Sequence, residues 1–370
     1  MRMRLVAMLL AIATTAISGC GFQVDLRTEV EFLIGGSADR VIFAKSFDSG
    51  YANVEQGFQV YNARFSVLNP ATGTITQPDE LAETNRASLS DGRWLALANY
   101  EYNVLSVVDI ESGETTDVLP SGLSSGFQPI ALYAGRLLAA AHYGGQIQLV
   151  LRDLNTGQQS EWLEDLVSKN GAAALGGDIL ALRVYPALAP SNPPSLDLSV
   201  ATQIDYVNLA TQARTTIATI ADDHSGEWLA VGGRRIVWTE PGAAGLDVRV
   251  FDTANSQTNT LAVLATTDAG PLDRLDAVGA AGVVLTHSVR FGSTNPNGKT
   301  TVTGHRTLEL VNFEGQSYFL TEFDVTSDDF IYESVHAAVI EQRVYYFNPR
   351  AGKWFSYDVD SDVTQEISPF

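Results

Sequence analysis

The 370-residue chain exceeds the roughly 250–300 residues at which one hydrophobic core stops growing, so it must form several domains or a repeat array. Its composition is globular, 45% hydrophobic and 18% charged, and a formal net charge of −20 repels phosphate backbones and anionic headgroups, which argues against nucleic acid as a partner. With 31 Gly, 13 Pro and few apolar runs of helical period, the chain reads as all-β.

Arg2 and Arg4 precede the apolar run LVAMLLAIATTAI, which is too short and too weakly flanked to span a bilayer permanently, so residues 1–19 read as a cleaved export signal. The signal ends in Ile17-Ser18-Gly19-Cys20, which resembles the bacterial lipobox. That resemblance implies that the Cys20 thiol receives a diacylglycerol and that Cys20 becomes the acylated start of the mature chain. Gly21 follows, where Asp in Gram-negative lipoproteins resembles an inner-membrane retention signal, so the expected location is the outer membrane, periplasmic side or cell surface. Residues 20–28 then form the lipidated start and a short tether, and residues 29–370 the folded body, held to the membrane by lipid alone. Cys20 is the only cysteine, so no intramolecular disulfide can form and stability must come from packing.

Seven segments then share an apolar strand, an Asp or Asn, a few turn residues and a second strand: SVLNPATGTIT, SVVDIESGETT, LVLRDLNTGQQ, DYVNLATQART, RVFDTANSQTN, LELVNFEGQSY and FSYDVDSDVTQ. Their anchors are Asn69, Asp109, Asp153, Asn208, Asp252, Asn312 and Asp358. An Asx side chain accepts hydrogen bonds from amides two residues on, and Gly73, Gly113 and Gly157 supply positive φ, so each segment reads as a hairpin. A second series lies upstream, from ADRVIFAKS through DGRWLALAN to QRVYYFNPR, mostly preceded by a short strand with a small residue such as Ala87, Ala131, Ala173, Ala230, Ala277 or Ala337. Together they give four strands per unit. The anchors recur 40 to 60 residues apart, near the period of propeller blades. Over residues 29–370 the chain resembles bacterial β-propellers with WD-repeat-like or YVTN-like blades, although it lacks their regular Trp-Asp and Gly-His dipeptides. The expected fold is a seven-bladed propeller of four-stranded antiparallel blades, with six or eight as the alternatives.

Four units use 15 to 17 residues from the start of the second strand to the anchor, whereas the first, fourth and sixth use 29 or 30. The extra residues fall in the same connection, between second and third strands, within SFDSGYANVEQGFQV, YPALAPSNPPSLDLSVATQ and RFGSTNPNGKTTVTGH. Loops on a rigid scaffold commonly carry binding function, which makes this face the expected site. Its candidate contact residues are Tyr51, His142, Tyr143, Arg183, Tyr185, Arg290 and Phe291. Connections between units on the same face are acidic, Asp268 and Asp273 among them, and would attract cations or a basic surface.

Catalytic patterns are sparse. Gly122 to Gly126 match Gly-x-Ser-x-Gly around Ser124, but that motif needs a strand-to-helix turn and FQPIALY continues as strand. Asp358, Asp360 and Asp362 occupy the first three ligand positions of a calcium loop, yet Val363 stands where Gly is required and Pro369 where the bidentate Glu belongs. Asp222, Asp223 and His224 enter the fifth unit's innermost strand and are the better candidates for a divalent cation near the axis. None of His142, His224, His287, His305 and His336 has zinc-ligand spacing with another His, Cys or carboxylate on a helix, and His142 and His287 are expected to end second strands. The tryptophans Trp94, Trp228, Trp238 and Trp354 are expected in strands, packed between units. The functional expectation is a binding or scaffolding lipoprotein for an envelope protein, peptide or glycan, without a required cofactor. The alternative is a divalent-cation-dependent propeller hydrolase of lactonase or phosphotriesterase type, with calcium as the candidate cation.

Overall fold

The computed structural model describes residues 29–47, 63–78, 87–99, 104–118, 125–143, 146–166, 173–184, 201–220, 228–267, 270–271, 273–294, 300–326 and 336–370. The first unit comprises β1 (Glu29–Gly36), β2 (Val41–Phe47), β3 (Ala63–Leu68) and β4 (Ile75–Thr76); the second β5 (Ala87–Ser90), β6 (Trp94–Asn99), β7 (Val104–Asp109) and β8 (Thr115–Asp117). The third has β9 (Ser125–Tyr133), β10 (Arg136–Tyr143), β11 (Gln146–Asp153) and β12 (Gln159–Leu166); the fourth β13 (Ala173–Gly176), β14 (Ile179–Val184), β15 (Thr202–Asn208) and β16 (Arg214–Ile220). The fifth holds β17 (Leu229–Gly232), β18 (Arg235–Pro241), β19 (Gly245–Asp252), β20 (Gln257–Thr267) and an extra β21 (Gly270–Pro271). The sixth is β22 (Arg274–Gly279), β23 (Gly282–Thr294), β24 (Thr300–Val311) and β25 (Ser317–Thr326); the last β26 (Ala337–Ile340), β27 (Arg343–Asn348), β28 (Lys353–Asp358) and β29 (Val363–Ile367).

These strands make an all-β propeller of four-stranded antiparallel blades. Seven separate sheets were expected; the described strands form five separate sheets of four or five strands and one of eight, ordered β4-β3-β2-β1-β5-β6-β7-β8. The joint is a single parallel bridge between Gly35 and Ser90. It exists because Gly35 has no side chain: a Cβ there would lie 2.1 Å from the Ser90 carbonyl oxygen.

The first part of each second strand is buried on both faces, which explains its continuous apolar run. Alternate residues serve opposite neighbours. Ile42 and Ala44 of β2 pack with Leu95 and Leu97 of the second unit, while Val41 and Phe43 pack the other way, onto Tyr345, Trp354 and Ile367 of the last. The intervening seams repeat the pattern, as where Ala181 and Ile204 meet Ile236 and Trp238, or Val284 and Leu308 meet Val344 and Tyr346. Fully burying side chains of this size stabilises by about 1.5–3 kcal/mol each. The ring therefore closes through side-chain packing, with β29 paired to β28 as the outer strand of the last sheet.

All seven Asx anchors do what local chemistry requires. Asn69 Oδ1 accepts from the amides of Ala71 and Thr72, and Asp153 Oδ1 from Asn155 and Thr156. Asp109, Asn208, Asp252, Asn312 and Asp358 cap their turns in the same way. Four anchors are followed by a positive-φ residue other than Gly or by a shifted one: Gln212, Ser256, Asp362 and Gly315.

The expected alanines Ala87, Ala131, Ala173, Ala230, Ala277 and Ala337 lie in the innermost strands, and glycines ending those strands make close approaches of their own. A Cβ on Gly232 would sit 2.2 Å from the Gly279 carbonyl oxygen, and one on Gly279 2.4 Å from that of Val339. Arginines at the start of second strands link neighbouring units on the face of tight turns. Arg40 Nη2 reaches Glu111 at 2.7 Å, Arg93 Nη1 reaches Asn155 at 3.2 Å, and Arg136 Nη1 reaches Asp178 at 2.7 Å. Arg235 lies over the Phe313 ring, 4.4 Å from its centroid.

Candidate functional site

The sixth unit departs most from the common pattern. Its 16 residues RFGSTNPNGKTTVTGH were expected to form a loop extension; instead β23 and β24 run on as a continuous hairpin, paired from Val283 with Val311 out to Thr294 with Thr300. The outer strand β25 follows as far as Thr326 opposite Thr303. The result is a three-stranded arm on the face of the long connections. Arg290 and Phe291 lie within β23 on this arm, and His287 lies inside that strand rather than at its end.

Directly opposed residues of antiparallel strands share a face. Val289, His305 and Asp324 form one row across the arm, and His287, Thr307 and Glu322 the next. Both imidazoles are held between two carboxylates. His287 Nδ1 is 3.3 Å from Asp273 and its Nε2 2.9 Å from Glu309. His305 Nδ1 is 3.0 Å from Asp324 and its Nε2 3.3 Å from Glu322. Burial alone would lower the His287 pKa, but the hydrogen bond to Glu309 and the charge and hydrogen bond of Asp273 outweigh it, leaving the pKa raised. The His305 pKa is raised chiefly by its hydrogen bond to Asp324, with Glu322 adding to it.

Asp273 also fixes the root of the arm. Its Oδ2 accepts from the amide of Ala265 at the end of β20, at 2.9 Å, and its Oδ1 from the amide of Ser288 in β23, at 3.2 Å. One buried carboxylate thus ties the fifth unit to the sixth. On the other face of the arm's base, Asp276 is paired with Arg274 and accepts from the Thr286 hydroxyl; burial dominates and raises its pKa despite the Arg274 charge. With both nitrogens of each histidine taken by carboxylates, the arm offers a charged hydrogen-bonding surface and an exposed Val289 rather than an activated nucleophile.

The remaining expected contacts separate. Arg183 is corrected from surface contact to buried strut: it is 1% exposed and donates from Nη2 to the carbonyl oxygens of Trp228 and Thr239, between fourth and fifth units. Its place in the doubly buried strand β14 leaves it no route to solvent. His142 and Tyr143 close β10. Tyr51, Tyr185, Ser124, the Asp222-Asp223-His224 cluster and the lipobox with Cys20 lie outside the described residues. Asp358 is engaged by Arg343 and by its own turn at Ser361, and Asp362 accepts from the Tyr357 hydroxyl. Among the described residues no three His, Cys, Asp or Glu side chains form a group able to hold a metal ion. Trp94, Trp238 and Trp354 lie in strands as expected, whereas Trp228 precedes β17 and is 37% exposed.

No protein-family model matches this chain, and no curated protein does. Solved structures do match. The uncharacterized protein lmo1340 from Listeria monocytogenes EGD-e is 12% identical, with a TM-score of 0.52 over 95% of this chain and 98% of that one. The β-propeller domain of the Trilobed protease from Pyrococcus furiosus, described as having an open velcro topology, is 10% identical, with a TM-score of 0.51 over 91% and 98%. A puromycin-hydrolyzing peptidase from Mycobacterium tuberculosis is 10% identical, with a TM-score of 0.53, over 93% of this chain but 54% of that one. At these identities the likeness is one of fold, and function must be argued from the site.

Proposed function

We propose that the chain is an envelope lipoprotein that acts as a binding or scaffolding module, using the face that carries the arm. The observation that carries this reading is the arm itself: two long paired strands with a third alongside, pinned by Asp273, hold a defined surface above a rigid ring. Reading the eight-stranded sheet as two blades gives a frame of seven, supported by the same alternating seam packing at each step and by closure of the last unit onto the first. The partner is a protein, peptide or glycan of the envelope. Replacing residues 290–304 by Asn-Gly shortens the arm to a two-residue hairpin without touching the seams. Cross-linking in intact cells should then lose the partner captured by the full-length arm, and unchanged capture by a folded, trimmed protein would reject the arm as the site.

The anchor is Cys20, on the strength of the lipobox pattern. Cys20→Ser is expected to move the protein from the detergent phase to the aqueous phase; unchanged partitioning would reject lipidation. β1 begins at Glu29 opposite Phe47, on the same face as the arm. Residues 21–28 reach at most about 29 Å when extended, so the arm would face the membrane and its partner would be membrane-associated.

A further inference from the structure

The opposite face, made of the tight turns, holds a cavity of about 350 Å³ shared by the first three units, within the size range of small-ligand sites. We propose that it binds a small zwitterion, an amino acid or short peptide that presents one carboxylate and one ammonium group. This inference is independent of the arm and of the lipid anchor.

The floor is built and rigid. Asp91, buried, accepts from the amides of Arg93 at 3.1 Å, Trp94 at 2.8 Å and Gly135 at 2.6 Å, which locks the second unit's turn against the third's. Gly92 and Gly135 have φ of +91° and +77°, and a Cβ on either would strike Ser37 Oγ at 2.5 Å or Asn155 Nδ2 at 2.3 Å. The walls carry both signs of charge. On one side Arg40 pairs with Glu111 at 2.7 Å; on the other Arg93 pairs with Asp109 at 3.0 Å and bonds Asn155. Asp39 is exposed and lines the same cavity, and the Trp94 indole N–H, also from a lining residue, is buried with no acceptor among the described residues.

This charge pattern selects the ligand class. An anion drawn to Arg40 and Arg93 meets Glu111 and Asp39, and a cation drawn to those carboxylates meets the guanidiniums, so a ligand of one sign gains little. A zwitterion matches both, its carboxylate toward the guanidiniums and its ammonium toward Asp39 and Glu111. The comparable cavity where the last unit meets the first is about 170 Å³, below the size range of small-ligand sites.

The test titrates the purified full-length protein with glycylglycine, acetate and ethylammonium while following the amide signals of Gly92 and Gly135 and the Trp94 indole signal. Expected are saturable shifts with glycylglycine and at least about tenfold weaker binding of either half-ligand. Arg40→Gln and Asp39→Asn should each weaken the dipeptide about tenfold, whereas Arg136→Gln, which breaks a link at the next seam, should not. Retained signal dispersion in each variant shows that it is folded. Absence of saturation, acetate binding as well as the dipeptide, or undiminished affinity in folded Arg40→Gln would each overturn the proposal.

Discussion

Arg343 donates from Nη1 to the backbone carbonyl oxygen of Pro70 at 2.6 Å, joining residues 273 positions apart. Its Nε meanwhile donates to Asp358 Oδ2 at 2.9 Å, so one guanidinium ties the last unit's Asx turn to the first unit's. Arg343→Ala is expected to lower stability by about 1–2 kcal/mol, the lower part of the range for charged hydrogen bonds because the side chain is partly exposed. Arg343→Lys should recover only part, since an ammonium lacks the fork that reaches both acceptors. Urea unfolding of the three proteins measures this, and an unchanged midpoint in Arg343→Ala would remove the residue from ring closure.

Glycine substitutions should separate close approach from backbone strain. Gly232→Ala forces a Cβ to within 2.2 Å of the Gly279 carbonyl oxygen, backbone against backbone, and is expected to cost about 3 kcal/mol or more. Gly157→Ala has φ of +72° but open space around it, so about 1 kcal/mol is expected. Equal losses in thermal unfolding would show that the inner strands relax apart easily.

The arm should weaken as pH rises. The folded pKa of His287 is raised, so its pairing with Glu309 and Asp273 contributes stability fully below the unfolded pKa near 6.5, and that contribution is lost as pH climbs through the folded value. Unfolding midpoints compared at acidic and alkaline pH should fall less in His287→Gln than in the parent. A parent and variant with identical pH profiles would show that folding does not raise the His287 pKa.

Removing the Asp273 carboxylate should loosen the root of the arm. Asp273→Ala strips acceptors from the amides of Ala265 and Ser288 and is expected to cost about 2–3 kcal/mol, with faster hydrogen exchange at Ser288. Asp273→Asn, which retains one carbonyl oxygen, should cost less. In both variants the His287 titration should move down, and a fixed titration would assign its raised pKa to Glu309 alone.

The hairpins were legible in the sequence because an Asx turn is settled within four residues: Asp153 and Gly157 specify their turn whatever lies elsewhere. The second strands were legible because burial on both faces writes an unbroken apolar run such as ILAL. What was not legible depends on partners far along the chain. Nothing local to Gly232 announces Gly279, although the recurring IGG, LGG and VGG at the ends of inner strands were a signal that could have been read. The arm was mistaken for a loop because its residues are polar; the β-branched run Thr300-Thr301-Val302-Thr303 beside Asn297-Gly298 is a hairpin pattern that needed no apolar residues. Arg183 misled for a related reason. A charged residue ending a strand suggests a contact for solvent or ligand, and only the carbonyls of the neighbouring unit turn it into an internal strut.

Closure of the first unit by the last also sets a timetable for making the protein. Val41 and Phe43 are covered by Tyr345 and Trp354, so that face of the first unit cannot be shielded until about 300 further residues have been synthesised. Through that interval a fully apolar strand surface is open to aggregation, which makes the arrival of the last unit the step that protects the first.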